Sequence, residues 1–126
     1  MSKLADQLKG GYFGYRRDDT WAPPANLYES ESSYLVCVDL AGVERETIDL
    51  TVVDGRLRLR GSRAIPMPPE NAGADGGPCK VRVHLMEIDH GAFFREVELP
   101  ADIAHDRISA THRNGMLWVE LPKQRT

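Results

Sequence analysis

Asn114-Gly115-Met116-Leu117-Trp118-Val119-Glu120-Leu121-Pro122-Lys123 is the stretch whose reading decides the fold. Asn and Gly both tolerate positive φ, so the pair marks a tight turn, and the alternation after it runs until a proline that cannot donate to a sheet ladder. The spacing predicts a strand with Leu117, Val119 and Leu121 on one face and Met116, Trp118 and Glu120 on the other. Such a strand is not stable alone. Several upstream runs share its period and none of comparable length has a helical one, so the expected fold is all-β, a sandwich of two sheets that bury their apolar faces against each other.

Tyr34 to Leu40 places Tyr34, Val36, Val38 and Leu40 in register, with Asp39 on the other face. Thr47 to Val53 puts Ile48, Leu50 and Val52 on one face, Asp54-Gly55 is a hairpin signal, and Leu57 and Leu59 continue beyond it to Gly61, expected to end that strand. Asn26 to Glu29 is a short, edge-like strand. Ile65 to Pro78 holds four of the eight prolines together with Gly73, Gly76 and Gly77, which excludes a regular element there. In the run that follows, Lys80 to Ile88, Val81, Val83 and Leu85 alternate with Arg82, His84 and Met86. This is the pattern of a strand on a long tether, able to reach another chain.

Gly91 opens a further strand with Phe93, Arg95, Val97 and Leu99 in one row, ended by Pro100. An arginine among apolar neighbours either needs a carboxylate or carbonyls to pair with, or lies at the rim with its head in water. Ala101 to Asp106 is a connection with room for one helical turn, and Ile108 to Thr111 is a brief strand leading through His112 and Arg113 into the Asn114-Gly115 turn. At the other end of the chain, Leu4 and Leu8 suit one or two helical turns before Gly10-Gly11. Tyr12, Phe13, Tyr15 and Trp21 then lie outside any periodic element. Two readings stand side by side for these aromatics: a flap packed on the sandwich or on a partner subunit, and an adaptable adhesive arm.

With 126 residues the chain is long enough for one domain with a core of its own, and its 41% hydrophobic and 28% charged residues suit a soluble protein. A net charge of -3 gives no electrostatic basis for binding nucleic acid or an anionic membrane, and Arg56, Arg58 and Arg60 have the spacing of a solvated strand face. The apolar runs are too short to span a bilayer, and the N-terminus lacks an apolar signal core. A cytoplasmic protein is expected, with Cys37 and Cys79 as free thiols in preference to a disulfide. There is no Gly-rich phosphate loop after a strand, no nucleophile elbow and no carboxylate pair at a spacing that implies acid-base work. Cys79, His84 and His90 match no zinc module. Neither an enzyme nor a cofactor or metal is expected.

Taken in order, these residues resemble the α-crystallin domain of the small heat shock proteins, the Hsp20 family. The resemblance covers about Leu27 to Lys123. It rests on Leu40-Ala41-Gly42 where the family has Leu-Pro-Gly, on Leu57-Arg58-Leu59-Arg60-Gly61, and on Gly91-Ala92-Phe93-Phe94-Arg95 running into Leu99-Pro100. Ala110 with Asn114-Gly115-Met116-Leu117 matches the signature A-x-x-x-N-G-x-L, and Pro122-Lys123 its usual end. The resemblance implies an immunoglobulin-like antiparallel β-sandwich over 25–123, with a loop and swap strand at 62–90, an N-terminal arm at 1–24 and a short tail at 124–126. It also implies an ATP-independent holdase that captures partly unfolded client proteins.

On this resemblance a homodimer forms by strand exchange, with Val81, Val83 and Leu85 on the swapped strand, Asn26 to Glu29 at the acceptor edge, and Arg95 at the dimer interface facing a carboxylate or carbonyl of the partner. Anything larger would be held by the N-terminal aromatics. Client contact is expected on Leu4, Leu8, Tyr12, Phe13, Tyr15 and Trp21, and on a groove formed by Leu57, Leu59, Ile108 and Leu117. Gln124-Arg125-Thr126 carries no Ile-x-Ile anchor of the kind that fills this groove in the family, which leaves it empty, covered by the chain's own arm, or open to a partner's tail. Ala41 also replaces the family's turn proline, and the arm is short. The competing class is a p23-like interaction module of similar fold that binds one folded partner.

Overall fold

The computed structural model describes residues 20–68 and 81–125. Seven strands appear among them: β1 (Ala25–Glu29), β2 (Ser33–Asp39), β3 (Asp49–Val53), β4 (Arg56–Arg63), β5 (Gly91–Glu98), β6 (Ser109–Arg113) and β7 (Met116–Pro122). All named pairings are antiparallel, in a four-stranded sheet of order β1-β2-β7-β6 and a three-stranded sheet of order β3-β4-β5. The two-sheet sandwich expected from the alternating runs is therefore present. Among the described residues no helix is long and apolar enough to cross a membrane.

Both hairpins form where the sequence places them. Asp54 and Gly55, at φ 53° and 74°, and Asn114 and Gly115, at 53° and 76°, supply the two successive positive φ values that a two-residue turn needs to match strand twist. β7 then pairs along its whole length with β2, from Asp39 opposite Met116 to Ser33 opposite Pro122. Val36, Val38, Leu117, Val119 and Leu121 face inward and meet Leu57, Leu59 and Phe93 of the other sheet, with Leu40 and Ile103 closing the core. Each such side chain removed from water contributes about 1.5–3 kcal/mol, which makes this interlocked layer the main source of stability.

Two local expectations are corrected. Gly61 does not end β4, which runs on to Arg63. The glycine instead allows a close approach: a Cβ there would lie 2.6 Å from Cζ of Phe93 and 3.0 Å from the Thr47 carbonyl oxygen. Thr47 and Ile48 do not belong to β3, because Arg45–Thr47 makes a turn of 3-10 helix in which the Thr47 amide and hydroxyl both donate to the Glu44 carbonyl, at 3.0 and 2.8 Å. A second such turn, His105–Arg107, occupies the connection before β6.

The C-terminal end is clasped to the start of β2. The Lys123 and Gln124 amides donate to the Ser32 and Asp102 carbonyls at 2.9 and 2.8 Å, and the Lys123 ammonium donates to Glu29 at 2.7 Å. The Tyr34 hydroxyl donates to Asp102 at 2.9 Å. That hydrogen bond, followed by burial and the Asp102 charge, raises the Tyr34 pKa, and the hydrogen bond to Glu29 raises that of Lys123.

Candidate functional site

The sandwich has two open sides. On one, the edge strands β3 and β6 face each other across a groove of about 450 Å³ lined by Arg45, Ile48, Leu50, Ala110, Thr111, His112 and Leu117. This corrects the expected groove. Leu57 and Leu59 are each 1% exposed and belong to the core, since β4 is the middle strand of its sheet and turns both residues inward. Leu117 does line the groove, and Ile108 packs against the core beside it. The missed residues, Ile48 and Leu50, carry the same alternation as the core rows; only the place of Leu50 on an edge strand, and of Ile48 just before it, distinguishes them. His112 adds a buried Nε2 with no hydrogen-bond partner among the described residues.

On the other side lie β1 and β5, each at the free end of its sheet. β1 pairs with β2 alone among the described strands, so its outer row of N–H and C=O groups is open to a further strand. Leu27, opposite the fully buried Val36, has the inward orientation yet is 46% exposed because nothing described covers it. Arg95 is opposite Leu59 on β5 and therefore also turns inward; its Nε is buried and makes no hydrogen bond among the described residues. Of the two readings for this arginine, a wet rim position and a need for an acceptor, the buried Nε favours the second.

Between these edges enters the chain's N-terminal approach. Trp21 is 7% exposed, bridges Phe93 in parallel, and meets its ring edge-on with centroids 5.4 Å apart. Its amide donates to the Ala92 carbonyl at 3.2 Å, its carbonyl accepts from the Phe94 amide at 2.9 Å, and its indole Nε1 donates to the Gly91 carbonyl at 3.1 Å. Trp21 is therefore a flap packed on the sandwich, not an exposed contact. Leu4, Leu8, Tyr12, Phe13 and Tyr15 lie outside the described residues.

The segment 81–90 makes no sheet pairing with the other described residues, and every residue in it is exposed. Val83 is 57% exposed and Leu85 77%, with Val81, Met86 and Ile88 open as well. A row of aliphatic side chains at spacing two, facing water, is a strand in composition and not in hydrogen bonding among the described residues. Of the groups weighed for metal, His84 and His90 fall on this exposed segment and Cys79 lies outside the described residues. Cys37, on the outer face of β2, is a free thiol whose pKa is raised by burial and then by the Asp39 charge.

The fold is an immunoglobulin-like antiparallel sandwich whose two sides end in strand edges, with an apolar groove at one and the half-exposed Leu27 and the buried Nε of Arg95 at the other. Residues 26–126 match the Hsp20/alpha crystallin family, and the chain belongs to that family. It is 28% identical over 102 residues to small heat shock protein C2 of Rickettsia felis, covering 81% of this chain and 60% of that protein. With heat shock protein 16 of Schizosaccharomyces pombe it shares 30% identity, over 81% of this chain and 66% of the relative. The chain thus spans about 60% of the length of the curated relatives it matches. Among solved structures, HSP18.5 from E. histolytica superposes with a TM-score of 0.69 at 28% identity, covering 85% of this chain and 92% of that one. Heat shock protein 16.0 from Schizosaccharomyces pombe superposes with a TM-score of 0.70 at 27% identity, covering 90% and 74%.

Proposed function

We propose that this protein is an ATP-independent holdase chaperone that binds partly unfolded clients through apolar surface and acts without catalysis. Family membership supports a chaperone role in general. The observation that carries the finer reading is the apolar groove between the edge strands β3 and β6, lined by Ile48, Leu50 and Leu117. Burying such surface yields about 25 cal/mol per Å², so a few hundred Å² provides several kcal/mol before the entropic losses of association.

The unit in this proposal is a homodimer. The segment 81–87 adds to the open edge of the partner's β1, covers Leu27, and brings a carboxylate or carbonyl to the orphaned Nε of Arg95. Client contact falls on the arm residues Leu4, Leu8, Tyr12, Phe13 and Tyr15 and on the β3/β6 groove, and a cytoplasmic location belongs to the same proposal. The test is suppression of heat-induced aggregation measured with several unrelated client proteins and no nucleotide. Protection of most of them at comparable ratios is the expected result; protection of none, with tight binding to one folded partner, would establish the p23-like module instead.

A further inference from the structure

Arg63, the last residue of β4, joins three segments that are remote in sequence. Its Nε and Nη2 donate to the Asp89 carbonyl at 2.9 and 2.5 Å, and its Nη1 donates to the Ala41 carbonyl at 3.0 Å. Its guanidinium carbon lies 4.3 Å from the centroid of the Trp21 ring. The planar group thus spends its edge on two backbone carbonyls and its face on an indole, a division that a lysine ammonium cannot reproduce. Asp89 is the foot of the segment that carries Val81, Val83 and Leu85, and Trp21 is the foot of the N-terminal arm. One residue past His90, β5 begins at Gly91, whose φ of 84° turns the chain into the sheet.

We infer that Arg63 is a positioning residue, a latch that couples the arm to the exposed apolar segment: while Trp21 covers the guanidinium, the carbonyl of Asp89 is held and the 81–88 row projects from a fixed base. The inference rests on the reading that this row docks on a second subunit. Docking from a fixed base loses less chain entropy than docking from a free one, so the latch strengthens the dimer. Removing Trp21 from its seat exposes the guanidinium to water and loosens its hold on Asp89. A client that draws the arm away therefore weakens the subunit contact, and by linkage dimer formation opposes release of the arm.

The experiment measures the dimer dissociation constant by sedimentation equilibrium for the wild type, Arg63→Lys, Arg63→Met, Trp21→Leu and the Arg63→Met/Trp21→Leu pair, with thermal melting to confirm that each is folded. Arg63→Met and Arg63→Lys are expected to weaken the dimer by about tenfold, a change of ~1.4 kcal/mol. Trp21→Leu should weaken it in the same direction, and the double variant should be no weaker than Arg63→Met, since one latch cannot be opened twice. If Trp21→Leu fails to fold, Trp21→Phe, which keeps a ring and loses the bond to Gly91, takes its place. A dimer constant unchanged in Arg63→Lys, or effects that simply add, would overturn the latch. Should the wild type be monomeric at every concentration, the docking reading fails on its own. Hydrogen exchange at the amides of 89–92 then decides the latch in the monomer, with faster exchange in Arg63→Met upholding it and equal exchange refuting it.

Discussion

At the scale of single residues, close approach and charge set the margins. The Phe93 ring lies over Gly61, so Gly61→Ala must displace a fully buried aromatic; overpacking of this kind costs about 1–3 kcal/mol, read as a lowered denaturant midpoint with an unchanged slope. Adding Phe93→Leu to Gly61→Ala should make the pair's combined loss smaller than the sum of the two single losses. The C-terminal clasp gives a pH prediction. Tyr34 and Lys123 both have folded pKa values raised above those of the unfolded chain. Their contribution is fully present below the unfolded values, about 10 for tyrosine and lysine, and is lost as pH climbs through the raised folded ones. Melting temperature measured from pH 8 to pH 12 should fall above pH 10, and the fall should be shallower in Tyr34→Phe/Lys123→Met. The alternation of Gly61 with its neighbours could not reveal its role, because a glycine that stops a strand and one that admits a ring are written alike.

Between elements, the question is which edges are covered. The segment 81–88 contributes nothing to the core of its own subunit, so Val83→Lys/Leu85→Lys is expected to leave the melting temperature of the isolated sandwich unchanged, with stability altered by less than about 0.5 kcal/mol. The same variant should shift the molecule to monomer in sedimentation equilibrium. A dimer that survives both lysines would move the subunit contact elsewhere. In contrast, Leu121→Ala removes a fully buried side chain from the interlocked layer and should cost about 2–5 kcal/mol, measured by chemical denaturation. The seven strands are legible in the sequence to within a few residues, since alternation and two turn signals fix both face and register. The β3/β6 groove is not: Leu50 on an edge strand and Leu57 on a central one show the same period, and sheet order alone decides which of them lines a groove.

For the molecule as a whole, the boundary between arm and body matters most. Trp21 belongs to the core, so deleting residues 1–19 should leave the body folded, whereas deleting 1–21 should destabilise it by about 3–5 kcal/mol, the usual cost of losing a buried aromatic. Comparing the two deletions by thermal melting and by suppression of client aggregation separates an arm that binds clients from one that holds the sandwich together; full protection after loss of 1–19 would place client contact on the body. By itself the sequence determined that this protein is a sandwich of short strands followed at 81–88 by an alternating apolar row, because periodicity, turn chemistry and composition are local properties. Only the tertiary structure decided that Trp21 is a flap, that Leu57 and Leu59 are core, that the Arg95 Nε has no partner among the described residues, and that Arg63 joins Trp21 to Asp89. Those facts depend on which strands fall at the edges and which distant segments meet there, and long-range pairing leaves no mark on the residues next in the chain.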